Sequence, residues 1–202
     1  MKPLYRVSWS VARFLLRVLW GYRVEGEDRI PREGGMIVAF NHVSYADPVV
    51  GGVGVPRELH FFAKRELFHN RVFGGLIAAH NAIPVRRGVV ERETLEKVSA
   101  ILGGGHALLV FPEGTRSREG KIGDARPGIG MMAALAGVPI VPGYIRGTRS
   151  MGRALLRRGH LAVFFADPID PAIAGGESRK EHYRRVGERV VESLRHLQAK
   201  YG

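Results

Sequence analysis

The 202-residue chain contains no cysteine. This absence excludes disulfide bonds, thiolate metal sites and catalysis by a cysteine nucleophile. The eight histidines show no spacing typical of metal ligands, so we expect no metal site.

Long apolar runs are also absent. No segment reaches the ~18 uninterrupted apolar residues that a membrane-spanning helix needs. The best candidate, residues 9–20, is interrupted by Arg13 and Arg17.

Residues 3–20 instead predict an amphipathic helix with apolar residues at helical spacing. Trp9 and Trp20 are of the type that settles at a membrane interface. Two interpretations are open: the helix lies among lipid headgroups, or it packs on the core of its own domain with its arginines in water.

Acidic residues are few relative to basic ones, with 19 Asp and Glu against 31 Lys and Arg, and the formal net charge is +12. Natural partners of such a chain are nucleic acid, anionic lipid headgroups, and phosphorylated or acidic substrates and carriers. Charge alone does not choose among them.

The remaining chain alternates short apolar runs with helical patterns, which predicts α/β layers. The runs lack polar alternation, which is typical of parallel strands buried on both faces. We therefore expect a mixed, largely parallel central sheet flanked by helices, preceded by the amphipathic segment. The predicted strands are 22–26, 36–40, 59–62, 82–85, 107–111, 140–145 and 161–165, and the later helices 48–54, 71–79, 91–102, 128–136 and 179–199.

A histidine and an aspartate follow the second predicted strand, in the segment NHVSYAD at 41–47. His42 could act as a general base near neutral pH if Asp47 accepts the Nδ1 proton and leaves Nε2 free. The alternative is structural, because an aspartate directly before a proline, here Pro48, is a common helix N-cap.

A second candidate site follows the fifth predicted strand, in the segment FPEGTRS at 111–117. Gly114 permits close backbone approach to a ligand, and Arg116 offers a planar fork suited to phosphate. A surface turn with a salt bridge is the alternative. Lys64 and Arg87 also follow predicted strands, and cations at several strand ends favour an anion site beside the base.

Together these segments resemble the signature blocks of the glycerolipid acyltransferases, and most closely the lysophosphatidic acid acyltransferases. NHVSYAD and FPEGTRS match the first and third blocks, IPVRR at 83–87 the second, and VPIVP at 138–142 the fourth. The chain departs from the family at Asn81, where glycine is usual, and at Ala125-Arg126, where Phe-Lys is common.

The resemblance implies transfer of a fatty acyl group from an acyl carrier protein or coenzyme A thioester to the sn-2 hydroxyl of 1-acylglycerol-3-phosphate. His42 would take the hydroxyl proton while Asp47 orients its ring, without a covalent intermediate. No metal or bound cofactor is implied. The implied substrate-binding residues are Arg87 and Arg116 for the phosphate, Glu113, Gly114 and Thr115 for the glycerol, and Lys64 for charge near the reacting centre.

A substrate with a fatty tail lives in a bilayer, so the resemblance favours a peripheral enzyme on the cytoplasmic face of the cell membrane. Residues 1–21 would form the membrane-surface segment and 22–202 the acyltransferase domain, with the positive charge attracted to anionic lipid. Another acceptor, glycerol-3-phosphate or a lyso-aminolipid, is the main alternative. A nucleic-acid-binding domain would explain the charge but not the signature blocks, so no nucleic acid partner is expected.

Overall fold

A computed structural model describes residues 1–86, 91–156, 159–172 and 177–202. It has the α/β architecture expected from the sequence. The strands are β1 (Arg23–Glu25), β2 (Met36–Phe40), β3 (Leu59–Lys64), β4 (Ala82–Val85), β5 (Ala107–Val110), β6 (Ile140–Arg146) and β7 (Ala162–Phe165). The helices are α1 (Pro3–Trp20), α2 (Asp47–Gly54), α3 (Arg71–Ala79), α4 (Arg92–Gly103), α5 (Gly128–Ala136) and α6 (Arg179–Tyr201).

The strands form one sheet in the order β1-β7-β6-β2-β5-β3-β4. Neighbouring strands are parallel except for the antiparallel pair β6 and β7. Every residue of β2 is buried, because this central strand is covered on both faces. Since β2 and β5 are parallel neighbours, the segments that follow them emerge at the same edge, as the sequence predicts.

Helices cover the sheet on both sides, over two apolar clusters. One cluster includes residues of α1 and α2, among them Leu16, Val50 and Val53. The other includes residues of α4, α5 and α6, among them Leu102 and Leu194. The chain runs from β2 to β3 and from β3 to β4 in one direction across the sheet, so right-handed crossovers place α3 on the same side as α2.

Helix α1 packs on the domain with its less apolar side. Tyr5 and Leu16 are buried, and the indoles of Trp9 and Trp20 donate hydrogen bonds to the carbonyl oxygens of Val55 and Met151. The tryptophans therefore anchor the helix to the protein, and their position at a membrane interface stays a prediction.

The apolar stripe of α1 faces outward instead. Its exposed members are Leu4, Val7, Val11, Phe14, Leu15 and Val18. The helix thus packs on the core, as one interpretation expected, and the contact of its outward apolar face with lipid stays a prediction. Within the described residues, no helix is long and apolar enough to cross a membrane.

Candidate active site

His42 and Asp47 lie together in the turn between β2 and α2. The His42 Nδ1 atom is 2.9 Å from Asp47 Oδ2. The imidazole stacks on Phe111, with ring centroids 4.0 Å apart and planes inclined by 16°. A carboxylate and an aromatic face thus fix the ring, while 16% of the His42 side chain stays exposed. Among the described residues, Nε2 has no hydrogen-bond partner, which leaves it available to a substrate proton.

Asp47 does not cap α2, which corrects the structural alternative for this residue. The helix begins at Asp47 itself, and its side chain points back into the preceding turn. Besides His42, Oδ2 accepts hydrogen bonds from the backbone amides of Val43, at 2.6 Å, and Ser44, at 2.7 Å. The carboxylate is fully buried, and these donors replace the water lost at Oδ2, whereas Oδ1 is buried without a hydrogen-bond partner among the described residues.

Glu113 joins the two motif segments. Its Oε1 accepts a hydrogen bond from the His42 amide at 3.1 Å, and its Oε2 accepts one from the Gly123 amide at 3.3 Å. Burial raises the pKa of this carboxyl above its ordinary value, although both backbone hydrogen bonds oppose the shift. The Ser117 amide also donates to the His42 carbonyl at 2.7 Å. Glu113 therefore holds the His42 turn in place, and its contact with glycerol stays a prediction.

Arg116 lies over the ring of Tyr45, with the guanidinium carbon 3.6 Å from the ring centroid. Tyr45 belongs to the His42 turn and is otherwise 82% exposed. The stacking joins the cation of one motif to the other, since a guanidinium is attracted to an aromatic face. Sequence reasoning missed Tyr45, although its position between His42 and Asp47 was the available signal.

Arg126 is a second cation at this turn that the sequence analysis did not assign to the site. Its Nε donates to the Glu113 carbonyl at 3.2 Å, and its backbone amide donates to Pro112. Gly114 has φ +69°, and a Cβ atom there would lie 2.6 Å from Arg126 Nε. The positive φ thus favours glycine, and a larger residue would also displace the Arg126 side chain. The glycerolipid acyltransferases commonly have Phe-Lys where this chain has Ala125-Arg126. The cation that this chain keeps there was the available signal for Arg126.

Of the other predicted residues, two are exposed and one lies outside the described residues. Thr115 is exposed beside Gly114. Lys64 is exposed at the end of β3, which β5 separates from β2. Arg87 lies outside the described residues. The structure therefore brings together His42, Asp47, Glu113, Gly114 and Arg116, while Lys64 shares their sheet edge from a neighbouring position.

Comparisons with known proteins agree with this geometry. A family model described as Acyltransferase matches residues 21–146. A 1-acyl-sn-glycerol-3-phosphate acyltransferase of Bacillus subtilis (strain 168) is 25% identical over 198 residues, covering 98% of each chain. One from Streptococcus pneumoniae is 29% identical over 146 residues, covering 71% of this chain and 53% of that protein.

A solved structure is also similar along the whole chain. The crystal structure of the 1-acyl-sn-glycerophosphate acyltransferase PlsC from Thermotoga maritima superposes with a TM-score of 0.73 at 28% identity. The match covers 100% of this chain and 86% of that one.

Proposed function

This chain belongs to the acyltransferase family, and on that premise we propose that it transfers a fatty acyl group from an acyl thioester to the sn-2 hydroxyl of 1-acylglycerol-3-phosphate. The product is phosphatidic acid. The acceptor is supported by the activity named for the relatives in Bacillus and Streptococcus. The acyl donor is a thioester of acyl carrier protein or coenzyme A, and the enzyme uses no metal or bound cofactor.

His42 is the general base. Its Nε2 takes the proton of the acceptor hydroxyl as the oxygen attacks the thioester carbonyl. The tetrahedral intermediate then collapses, its C–S bond breaks, and the proton on His42 passes to the departing thiolate. Ester and free thiol are released, and no acyl-enzyme forms. Asp47 keeps the proton on Nδ1 and stabilises the imidazolium, as the 2.9 Å contact allows.

The acceptor phosphate binds to guanidinium groups at the FPEGTRS turn. Arg116 and Arg126 are the described candidates, and Arg87 is a further one proposed from the sequence alone. Charge-assisted hydrogen bonds from guanidinium to phosphate are among the stronger polar contacts in proteins. The exposed backbone at Gly114 and Thr115 positions the glycerol, and Glu113 contributes by fixing that turn. Lys64 stabilises charge near the reacting centre.

The enzyme works as a peripheral protein on the cytoplasmic face of the membrane, with α1 against an anionic leaflet. Support comes from the outward apolar stripe of α1, because such a stripe would gain free energy in the acyl-chain boundary. The excess of basic residues adds attraction to anionic headgroups.

The observation that carries the catalytic proposal is the His42–Asp47 pair held beside Arg116. The test offers labelled 1-acylglycerol-3-phosphate, glycerol-3-phosphate and a lyso-aminolipid to purified protein, with acyl carrier protein and coenzyme A donors. We expect phosphatidic acid as the main product, and a loss of about 10²–10⁴-fold in rate for His42→Ala. Turnover of a different acceptor alone would reassign the substrate, and a folded His42→Ala protein with normal turnover would disprove the mechanism.

A further inference from the structure

A second group of apolar side chains is exposed at the start of α3. This group, called the α3 patch, consists of Leu67, Val72, Phe73 and Leu76. Their exposed fractions are 40%, 84%, 45% and 54%. Residues 72, 73 and 76 share one helical face, so the side chains form one surface rather than scattered contacts. The opposite side of the helix is packed, since a Cβ on Gly74 would meet the backbone of Phe68 at 2.8 Å.

The α3 patch lies on the same side of the sheet as the apolar stripe of α1. The start of α1 also lies near the end of α3, where the rings of Tyr5 and His80, the residue after α3, are 5.9 Å apart. Lys2 near the start of α1 donates a hydrogen bond to Asn81, just beyond α3. The two apolar surfaces therefore belong to one layer of the protein.

Exposed apolar side chains are distributed very unevenly between the two sides. In the described parts of α4, α5 and α6, Leu135 is the one large hydrophobic side chain classed as exposed. The side of α1, α2 and α3 carries the α1 stripe, the α3 patch, and Val49 in α2. Tyr45, in the His42 turn, is exposed as well. Large contiguous apolar surfaces are uncommon on monomeric soluble proteins and mark interaction sites.

Basic residues accompany the α3 patch. Lys64, Arg65 and Arg71 are exposed around it, and Glu66 is the acidic residue within the same segment. Arg65 has one carboxylate neighbour, Glu91, at 3.4 Å. An apolar surface bordered by cations is complementary to an anionic bilayer, where acyl chains lie beneath negative headgroups.

We propose that the α3 patch is a second lipid-contacting element, which enters the same anionic leaflet as α1. This inference rests on the proposed function for its partner, a bilayer that holds the acceptor. Val49 of α2, seven residues after His42, is exposed on the same side of the sheet.

The absence of native cysteine allows a direct test. Leu76→Cys and Leu135→Cys each create a single thiol, at positions that are 54% and 55% exposed in the native protein but lie on opposite sides of the sheet. Each is labelled with an environment-sensitive fluorophore and mixed with vesicles of equal phosphatidylglycerol and phosphatidylcholine. We expect a blue shift and a rise in emission at position 76 alone. No shift at 76, or equal shifts at both positions, would overturn the proposal.

Binding measurements provide a second test. Leu76→Ser should weaken partition onto the same vesicles about tenfold, whereas Leu135→Ser should leave it unchanged. Equal effects of the two substitutions would reject a specific role for the patch. Sedimentation of the unsubstituted protein without vesicles tests the alternative that a second copy of the chain covers the α3 patch. A dimer that Leu76→Ser dissociates, with vesicle binding unaffected, would assign the patch to self-association.

These readouts do not require turnover. A blue shift at position 76 in a protein that acylates none of the acceptors would support the α3 contact and refute the proposed enzyme activity. Normal synthesis of phosphatidic acid with no shift at position 76 would support the proposed enzyme activity and refute the α3 contact.

Discussion

Asp47 has the chemical surroundings of an orienting carboxylate. A fully buried carboxylate is costly unless donors replace its water, and here three donors converge on one oxygen. Two of them are backbone amides that define the turn, and the third is the His42 ring. Asp47 therefore couples the shape of the turn to the orientation of the His42 ring.

Asp47→Asn separates these two tasks. The amide oxygen of asparagine still accepts from the backbone of Val43 and Ser44, so the turn should keep its shape. The negative charge that stabilises the imidazolium is lost, and we expect kcat to fall by about 10²-fold or more. Rate assays paired with a melting curve check this. A kcat close to that of the unsubstituted enzyme would show that Asp47 is needed for the turn alone.

We expect Arg116 to bind the phosphate of the acceptor. Removing a charge-assisted phosphate contact costs roughly 1.5–3 kcal/mol, so Arg116→Ala should raise the acceptor KM at least about tenfold. The donor KM should change little. Arg116→Lys should restore only part of the loss, because an ammonium lacks the planar fork. A raised donor KM with an unchanged acceptor KM would move Arg116 to the thioester side.

Tyr45 is predicted to position Arg116 through its aromatic face. An exposed cation–π contact is worth about 0.5–1 kcal/mol, so Tyr45→Leu should raise the acceptor KM about two- to fivefold. Tyr45→Phe keeps the ring and is the matched control, with an expected KM near that of the native enzyme. If both variants raise KM equally, the hydroxyl rather than the ring would be responsible.

At the scale of elements, the strands and helices were largely predictable because their hydrophobic patterns are strong. β2, β4, α1, α3 and α5 have the predicted bounds, and β3 extends to Lys64 rather than ending at residue 62. The short 3₁₀ helices Glu27–Arg29, Arg65–His69 and Thr148–Arg153 were not predicted, since single turns leave no periodic signal. The antiparallel pairing of β6 and β7 also depends on the path of the connection, which periodicity does not encode.

The orientation of α1 shows why an amphipathic pattern alone does not determine how a helix packs. Periodicity locates the apolar stripe, and the usual expectation is that the stripe meets the core. Here the other side carries residues with both apolar bodies and hydrogen-bonding tips, including Tyr5, Trp9 and Arg13. These side chains fill the contact and also satisfy backbone polar groups, as Trp9 does at the Val55 carbonyl and Tyr5 at the Leu59 amide. The apolar stripe is therefore exposed and can contact an apolar partner other than the core.

Arg13 and Arg17 should therefore differ in their contributions to stability. The Arg13 side chain is 12% exposed and lies 2.7 Å from Glu27 Oε2, whereas Arg17 is exposed. Arg13→Ala should reduce the free energy of unfolding by about 1–2 kcal/mol, while Arg17→Ala, its matched control one turn later, should change it by about 0.5 kcal/mol or less. Urea unfolding measures both. Equal losses would mean that the ion pair and its burial contribute little.

At the scale of the whole molecule, the two sides of the sheet differ in how much apolar surface they expose. The side of α4, α5 and α6 supports the core, and its long helix α6 contributes a row of buried apolar residues. The side of α1, α2 and α3 packs on the other face of the sheet and exposes apolar surface to the outside. The sequence predicted the positive charge and the stripe of α1. It did not predict that further apolar side chains would gather on the same side, because that depends on the crossovers.

Helix α1 packs on the core and, in our proposal, also contacts the bilayer, so a deletion would remove both contributions together. Loss of residues 1–20 uncovers the core beneath Leu16 and removes the Tyr5 hydroxyl that binds the Leu59 amide at 3.2 Å. We expect a sharply lower melting temperature and weaker activity on vesicle-borne and water-soluble acceptors alike. This expectation differs from that for a helix resting only on lipid, whose removal would leave the fold and soluble activity intact.

Substitutions in the outward stripe test the proposed bilayer contact without changing how α1 packs on the core. Val11 and Phe14 are 52% and 64% exposed, so replacing both with serine should leave the melting temperature nearly unchanged. Each apolar side chain buried in lipid contributes up to about 1.5–3 kcal/mol, so the double variant should bind anionic vesicles at least about tenfold more weakly. Its activity on vesicle-borne acceptor should fall, while that on a short-chain soluble acceptor persists. Unchanged vesicle binding by a stably folded double variant would show that the stripe does not contact the bilayer.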